Sequence, residues 1–194
     1  MDTLETKRQL VHASGFLIAF YILWAGQILS ILTLGSIMLV VILVGESYKR
    51  GLKISLISKV IESAERADVI EERPGKGAIL FLVGALASII LFGENLKIVS
   101  ASIIILALGD SVSTLIGVNF GKHKIPYNKM KSLEGSVAGF VFALLGAQIF
   151  VGLPLAMLGA ITAMLTESLP INIDDNITIP VLSGLIMSLA FYLL

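Results

Sequence analysis

Asp110, Ser113, Thr114, Gly117 and Gly121 recur at i, i+3, i+4, i+7 and i+11 inside an apolar run, so they share one face of a helix, while Val112, Leu115, Ile116 and Val118 point elsewhere. A carboxylate facing small residues has room for a metal ion and a phosphate. An ionisable residue in an apolar span costs about 2.5–3.5 kcal/mol to insert and usually marks a site or a pathway. The stretch GKHKIPYNKMKS then brings four lysines and His123 beside that carboxylate and closes on Glu134-Gly135. Each part has a plainer explanation of its own. Gly117 and Gly121 suit a small-xxx-small packing seam, Asp110 can hydrogen-bond a neighbouring helix, and lysines gather in inner loops of any membrane protein. Acid, glycine-lined face and basic loop together are more specific than any one of them.

The elements that must hold these residues are helices in a membrane. Hydrophobic residues make up 56% of the 194-residue chain, charged residues 14%, and mean hydropathy is +0.95, far from an average soluble domain. There is no cysteine, so disulfides and thiolate metal sites are excluded and any metal is held by oxygen or His ligands. Apolar segments at 10–25, 27–45, 77–93, 97–118, 133–151, 153–169 and 177–194 each approach the roughly 20 residues that cross a hydrocarbon core. No small-residue cleavage site follows the first, which is expected to be retained. The fold class expected is therefore all-α: a polytopic membrane bundle of about seven transmembrane helices, one integral membrane domain over residues 1–194. Segment 49–72 carries Leu56, Ile57, Val60, Ile61, Ala64 and Ala67 on one stripe with charges around the rest, which predicts an amphipathic cytoplasmic helix.

Threading the chain through seven spans puts every Lys and Arg except Lys97 on one side, which predicts a cytoplasmic N-terminus by the positive-inside rule. Lys7, Arg8 and His12, then Asp110, then Lys122 to Glu134, then Glu167 to Asn176 all map to the cytoplasmic ends of their spans. Short outer turns are expected near Gly26, Glu94 and Gly152.

The span from Asp110 to Gly135 resembles the CTP-binding signature of the polyprenol kinase group, which includes dolichol kinase, phytol kinase and a CTP-using diacylglycerol kinase. Asp110, Gly117, Gly121, Lys131, Glu134 and Gly135 match it in type and spacing; Ser113 stands where the family usually has Ala, Met130 where it often has Lys, and Ser132 where it often has Thr. ETKRQLVHASG near the N-terminus, PGKGAILF at 74–81 and TESLPINIDDNITIP at 166–180 are similar to the family as well.

The resemblance implies phosphoryl transfer from CTP to the hydroxyl of an isoprenoid alcohol of the dolichol, phytol or geranylgeraniol type. Such chemistry asks a protein for positioning and charge neutralisation. On that reading Asp110 and the Asp174-Asp175 pair are ligands for Mg2+, which prefers hard oxygens. Lys131 and Lys122 are the cations for the triphosphate. Ser113, Gly117, Gly121, Ser132, Glu134 and Gly135 complete the nucleotide site, with Glu134 positioning Lys131 or binding metal. Glu167 or an acid of the 174–175 pair accepts the alcohol's proton, and His12 and Asn176 are further site residues. No G-x-x-x-x-G-K-[ST] loop and no protein-kinase signature set is present. The expected partners are a lipid alcohol, a nucleotide and the membrane, with no nucleic acid; oligomeric state is open. Two alternatives stand beside this reading. A phosphatidate cytidylyltransferase-like CDP-lipid synthase would release pyrophosphate instead of CDP. A small transporter or scaffold would make Asp110 a permeation residue and would favour inverted repeats, of which the chain has none in evidence.

Overall fold

The computed structural model describes residues 3–51, 69–70 and 73–193, the side chain of Thr3 excepted. The chain is overwhelmingly helical. The expected amphipathic helix of segment 49–72 lies almost wholly outside the described residues.

Helix α1 (Thr3–Ser14) leads into α2 (Phe16–Lys49), which is helical on either side of Gly26 but not through it. Gly26 has φ 77° and ψ 175°, a combination open to a residue without Cβ and strained for any other. The bend is sharp. The Tyr21 hydroxyl donates to Thr33 Oγ1 at 2.7 Å, whereas the corresponding backbone positions in a straight helix would be about 18 Å apart. The turn expected near Gly26 is therefore present, and residues before and after it run back alongside each other.

Helix α3 (Lys76–Phe92) begins after Gly75. A tight turn at Gly93–Asn95 then opens α4 (Leu96–Ile104), where every residue from Ile98 to Ile104 is buried. It runs on through a π-helical turn (Ile105–Asp110) into α5 (Ser111–Phe120). Buried all round from Ile98 to Ile104, the α4 part is the middle of the bundle: α2, α3 and α8 pack on α4, and α6 and α7 on the π turn that continues it. Helices α6 (Leu133–Ala147), α7 (Leu153–Ser168) and α8 (Asp175–Leu193) complete the bundle, α6 against α5 and α7, α8 against α7 and α3. Pro180 inside α8 has no N–H to give the carbonyl of Asn176. Gly84 of α3 packs directly on that carbonyl, where a Cβ would collide with its oxygen.

Among the described residues, all seven apolar segments fall on helix, and three helical stretches, Leu4–Lys49, Leu96–Phe120 and Asp175–Leu193, are long and apolar enough to cross a membrane. Helices α3, α6 and α7 are apolar but shorter. The all-α expectation needs one amendment. The basic stretch is not a plain loop but an antiparallel hairpin of β1 (Lys124–Ile125) and β2 (Asn128–Ser132), pairing Lys124 with Ser132 and Ile125 with Asn128. Its turn carries Pro126, which presets φ for a turn.

Candidate active site

The π turn ends on Asp110, in the middle of an otherwise regular helix. Extra backbone residues of this kind re-aim side chains and recur at functional sites. Beyond the turn, Ser113 is one helical turn on from Asp110 and is buried.

The hairpin comes to this helix from outside and is pinned at both ends. At its tip the Tyr127 hydroxyl lies 3.1 Å from Ser168 Oγ, and Asn128 Nδ2 donates to the Ser168 carbonyl at 3.1 Å, which docks it on the C-terminal end of α7. At its base Glu134 accepts from the backbone N–H of His123 at 3.1 Å and meets His123 Nδ1 at 2.7 Å. Ser132 is the N-cap of α6, its hydroxyl accepting from Gly135 N at 3.2 Å.

So held, β2 turns Lys131 inward onto three carboxylates from three elements. Lys131 Nζ lies 2.6 Å from Glu167 Oε1 of α7, 3.2 Å from Asp175 Oδ2 of α8 and 3.9 Å from Asp110 Oδ1. Ser113 Oγ donates to Glu167 Oε1 at 2.8 Å. The other oxygen of Asp110, Oδ2, lies 3.4 Å from His12 Nε2 on α1. Burial by itself would lower the pKa of Lys131. The negative charges of Glu167, Asp110 and Asp175 outweigh it and raise the pKa well above the ordinary lysine value. One ammonium thus faces three carboxyl groups. Among the described residues, Glu167 Oε2 and His12 Nε2 are buried there without a hydrogen-bond partner.

The structure thus gathers His12, Asp110, Ser113, Lys131, Glu167 and Asp175 from six elements. Other residues of the sequence reading sit elsewhere. Gly117, Gly121 and Gly135 form the seam between α5, the hairpin and α6: a Cβ at Gly135 would lie 2.6 Å from the Ser113 carbonyl oxygen and 3.1 Å from Gly117 Cα. Lys122 is exposed at the start of the hairpin. Glu134 is engaged by His123, and the carboxylates on Lys131 are the other three. Asp174 points outward and caps α8, accepting from Asn176 N at 3.0 Å and Asn176 Nδ2 at 2.7 Å, so the two adjacent aspartates part company. Asn176 Oδ1 is buried without a hydrogen-bond partner among the described residues. Tyr127, Asn128 and Ser168, which fix the hairpin, carry no sign of that role in the sequence beyond the turn-forming Pro-Tyr-Asn.

No family model matches the chain, and no solved structure matches it. Among curated proteins it is 34% identical over 186 residues to an uncharacterised protein of Methanocaldococcus jannaschii, covering 95% of this chain and 93% of that one. It is 33% identical over 158 residues to phytol kinase 1, chloroplastic, of Arabidopsis thaliana, covering 73% of this chain and 52% of the relative. With farnesol kinase, chloroplastic, of the same plant, identity is 34% over 132 residues, 60% of this chain and 43% of that one. The chain belongs to the polyprenol kinase family. It spans about half the length of the kinase relatives it matches.

Membership bears out the resemblance to this family. It also gives meaning to the departure at Met130. That side chain is 87% exposed, whereas Lys131, next to it on the strand, reaches the carboxylates. A buried ammonium fixed among acids on helix ends, beside a glycine seam and a basic hairpin, can neutralise phosphate oxygens and hand its own counter-charges to another cation.

Proposed function

We propose that this chain is a lipid kinase that transfers the terminal phosphoryl group of CTP to the hydroxyl of an isoprenoid alcohol. The observation that carries the reading is the Lys131 cluster: one cation at 2.6 Å, 3.2 Å and 3.9 Å from Glu167, Asp175 and Asp110, in a chain similar to phytol and farnesol kinases. In the transfer, the alcohol oxygen forms a bond to the γ-phosphorus and the bridging bond to the β-phosphate breaks. CDP leaves, and the alcohol's proton passes to a carboxylate of the cluster. Lys131 supplies the charge-assisted contact to the phosphate, and Ser113 keeps Glu167 in place to orient Lys131.

Mg2+ is usually held by one or two carboxylates together with substrate phosphates. The residues fit that demand: Asp110 and Asp175 offer hard oxygens on Lys131, and Glu167 Oε2 is buried without a hydrogen-bond partner among the described residues. Among the described residues no three His, Asp or Glu side chains could hold an ion by themselves, so nucleotide phosphates complete the shell. Bound there, the ion would neutralise charge on the transferring group. Asp174, engaged as a cap, is left out of this set.

We read the chain as seven spans with the N-terminus and the site cytoplasmic. In support, the Gly26 bend divides the first long helix in two, and His12, Asp110, Lys131, Glu167 and Asp175, far apart in sequence, meet at one place. The deciding experiment incubates purified protein with γ-labelled CTP, Mg2+ and a panel of farnesol, geranylgeraniol, phytol and dolichol. Labelled prenyl phosphate with release of CDP is the expected result. A CDP-lipid with pyrophosphate, or no transfer from any nucleotide, overturns the reading.

A further inference from the structure

Helix α1 carries Glu5, Gln9 and His12 at i, i+4 and i+7, along one face. A helix resting on a membrane surface turns its polar face to water. This one does the reverse: Glu5 and Gln9 are 6% and 3% exposed, while Leu10 and Val11 are 62% and 51% exposed. The polar face packs against α5 and the π turn, where its needs are only partly met. Gln9 Nε2 donates to Glu5 Oε1 at 2.9 Å, but among the described residues Gln9 Oε1 and His12 Nε2 are buried with no hydrogen-bond partner, as is Ser111 Oγ at the start of α5. Buried polar groups are seldom left so, and here two lie on one face of α1.

We propose that the acceptor alcohol is held by its hydroxyl at this face of α1, against His12 with Gln9 beside it, on the Asp110 oxygen that Lys131 does not reach. The inference rests on the kinase reading above and assigns its second substrate. A hydroxyl brings one donor and two acceptor lone pairs, which suits an orphaned amide oxygen and an imidazole nitrogen. A phosphate does not suit them, because the Asp110 carboxylate stands 3.4 Å from His12 and the nearby Arg8 is paired with Glu5. The flank is apolar. Phe81 meets the His12 ring edge-on with centroids 5.3 Å apart and is itself 7% exposed, a wall for the first carbons of a prenyl chain. Gly15 allows that approach, since a Cβ there would lie 2.5 Å from Phe81 Cζ. Asp110 then stands between the two substrates, Oδ1 toward Lys131 and Oδ2 toward His12.

The test separates the substrates kinetically. Loss of one hydrogen bond to the hydroxyl in His12→Leu should raise the KM for farnesol about five- to tenfold and leave the KM for CTP unchanged. His12→Gln, which returns a polar nitrogen near the position of Nε2, should recover most of the loss. Without nucleotide, farnesol should raise the Tm of the wild-type protein in detergent and raise that of His12→Leu less. A wild type that phosphorylates no prenol overturns the kinase reading beneath. A wild type that does so, with the farnesol KM and the farnesol-induced Tm shift of His12→Leu unchanged, or with both KM values raised alike, overturns the alcohol site alone.

Discussion

Replacing Lys131 by methionine keeps the length of the side chain and removes one positive charge from a place where three negative ones converge. In the structure the ammonium has 22% side-chain exposure and lies 2.6 Å from Glu167, whose side chain is 1% exposed. Removing one partner of a buried ion pair costs about 3–5 kcal/mol, because the other charge stays buried and unpaired. Asp175 is 33% exposed on its side chain, so water can take over part of its solvation and the lower end of that range applies: about 3 kcal/mol. An exposed cation of the same hairpin, Lys124, should cost within about 0.5 kcal/mol when changed to methionine. The mechanism makes a sharper statement than the single loss. If the cost is the stranded acid, then Glu167→Gln in the Lys131→Met background should return part of it, with a coupling of about 1–3 kcal/mol between the two positions. The assay is reversible unfolding in mixed micelles on the wild type, both single variants and the double variant, with CTP turnover beside it. Strictly additive losses would refute the idea that Lys131 is held by this cluster. Turnover should stay lost in the double variant even where stability returns, since nothing then neutralises the phosphate. The pH dependence has a definite sign. Because the folded pKa of Lys131 is raised, its stabilisation is fully present below the unfolded value of about 10.4 and is lost only as pH rises through the still higher folded value. Activity lost below about pH 9 is therefore assigned to another group.

Asp110→Asn keeps size and polarity but removes the charge shared between Lys131 and His12; turnover should fall by orders of magnitude while stability changes by about the 0.6 kcal/mol typical of one interhelical hydrogen bond, and a folded variant with normal turnover would sink the metal assignment. Gly135→Ala places a methyl against the backbone of Ser113 and Gly117 and should destabilise by about 1–3 kcal/mol through overpacking, whereas Gly35→Ala, with nothing within 4 Å of the added carbon, should be neutral or stabilising in a melting experiment. Single cysteines at Lys124 and Asn172 should react with an impermeant reagent from the cytoplasmic side only, and one at Lys97 from the opposite side only; labelling of all three from one side would break the seven-span reading.

What was legible in the sequence was what depends on composition over many residues. The helices α3, α6 and α7 begin within a residue of the apolar segments that announced them, because a long apolar stretch has few alternatives in lipid. Asp110 was legible for the same reason, as a charge where hydrophobicity would otherwise be unbroken. What depends on one atom choosing between neighbours was not. Asp174 and Asp175 are adjacent and chemically identical in sequence, yet the first is taken by the N-terminus of α8 and only the second reaches Lys131. Glu134 and Glu167 both stood as acids for the site; a two-residue offset from the capping Ser132 gives the first to His123, and the end of α7 gives the second to Lys131. The hairpin looks like a plain loop in the sequence because its strands are two and five residues long, too short for any alternation to show. Its existence depends on Tyr127 and Asn128 finding Ser168, a contact about forty residues away in sequence. That contact is also what makes the site. Without the hairpin's attachment to the end of α7, Lys131 would be one of several basic side chains in an inner loop, as the positive-inside rule alone would have it. With it, a single lysine is drawn out of that population and buried among acids, and the difference between a topology signal and a candidate phosphate ligand is a docking interaction that neither residue type nor spacing records.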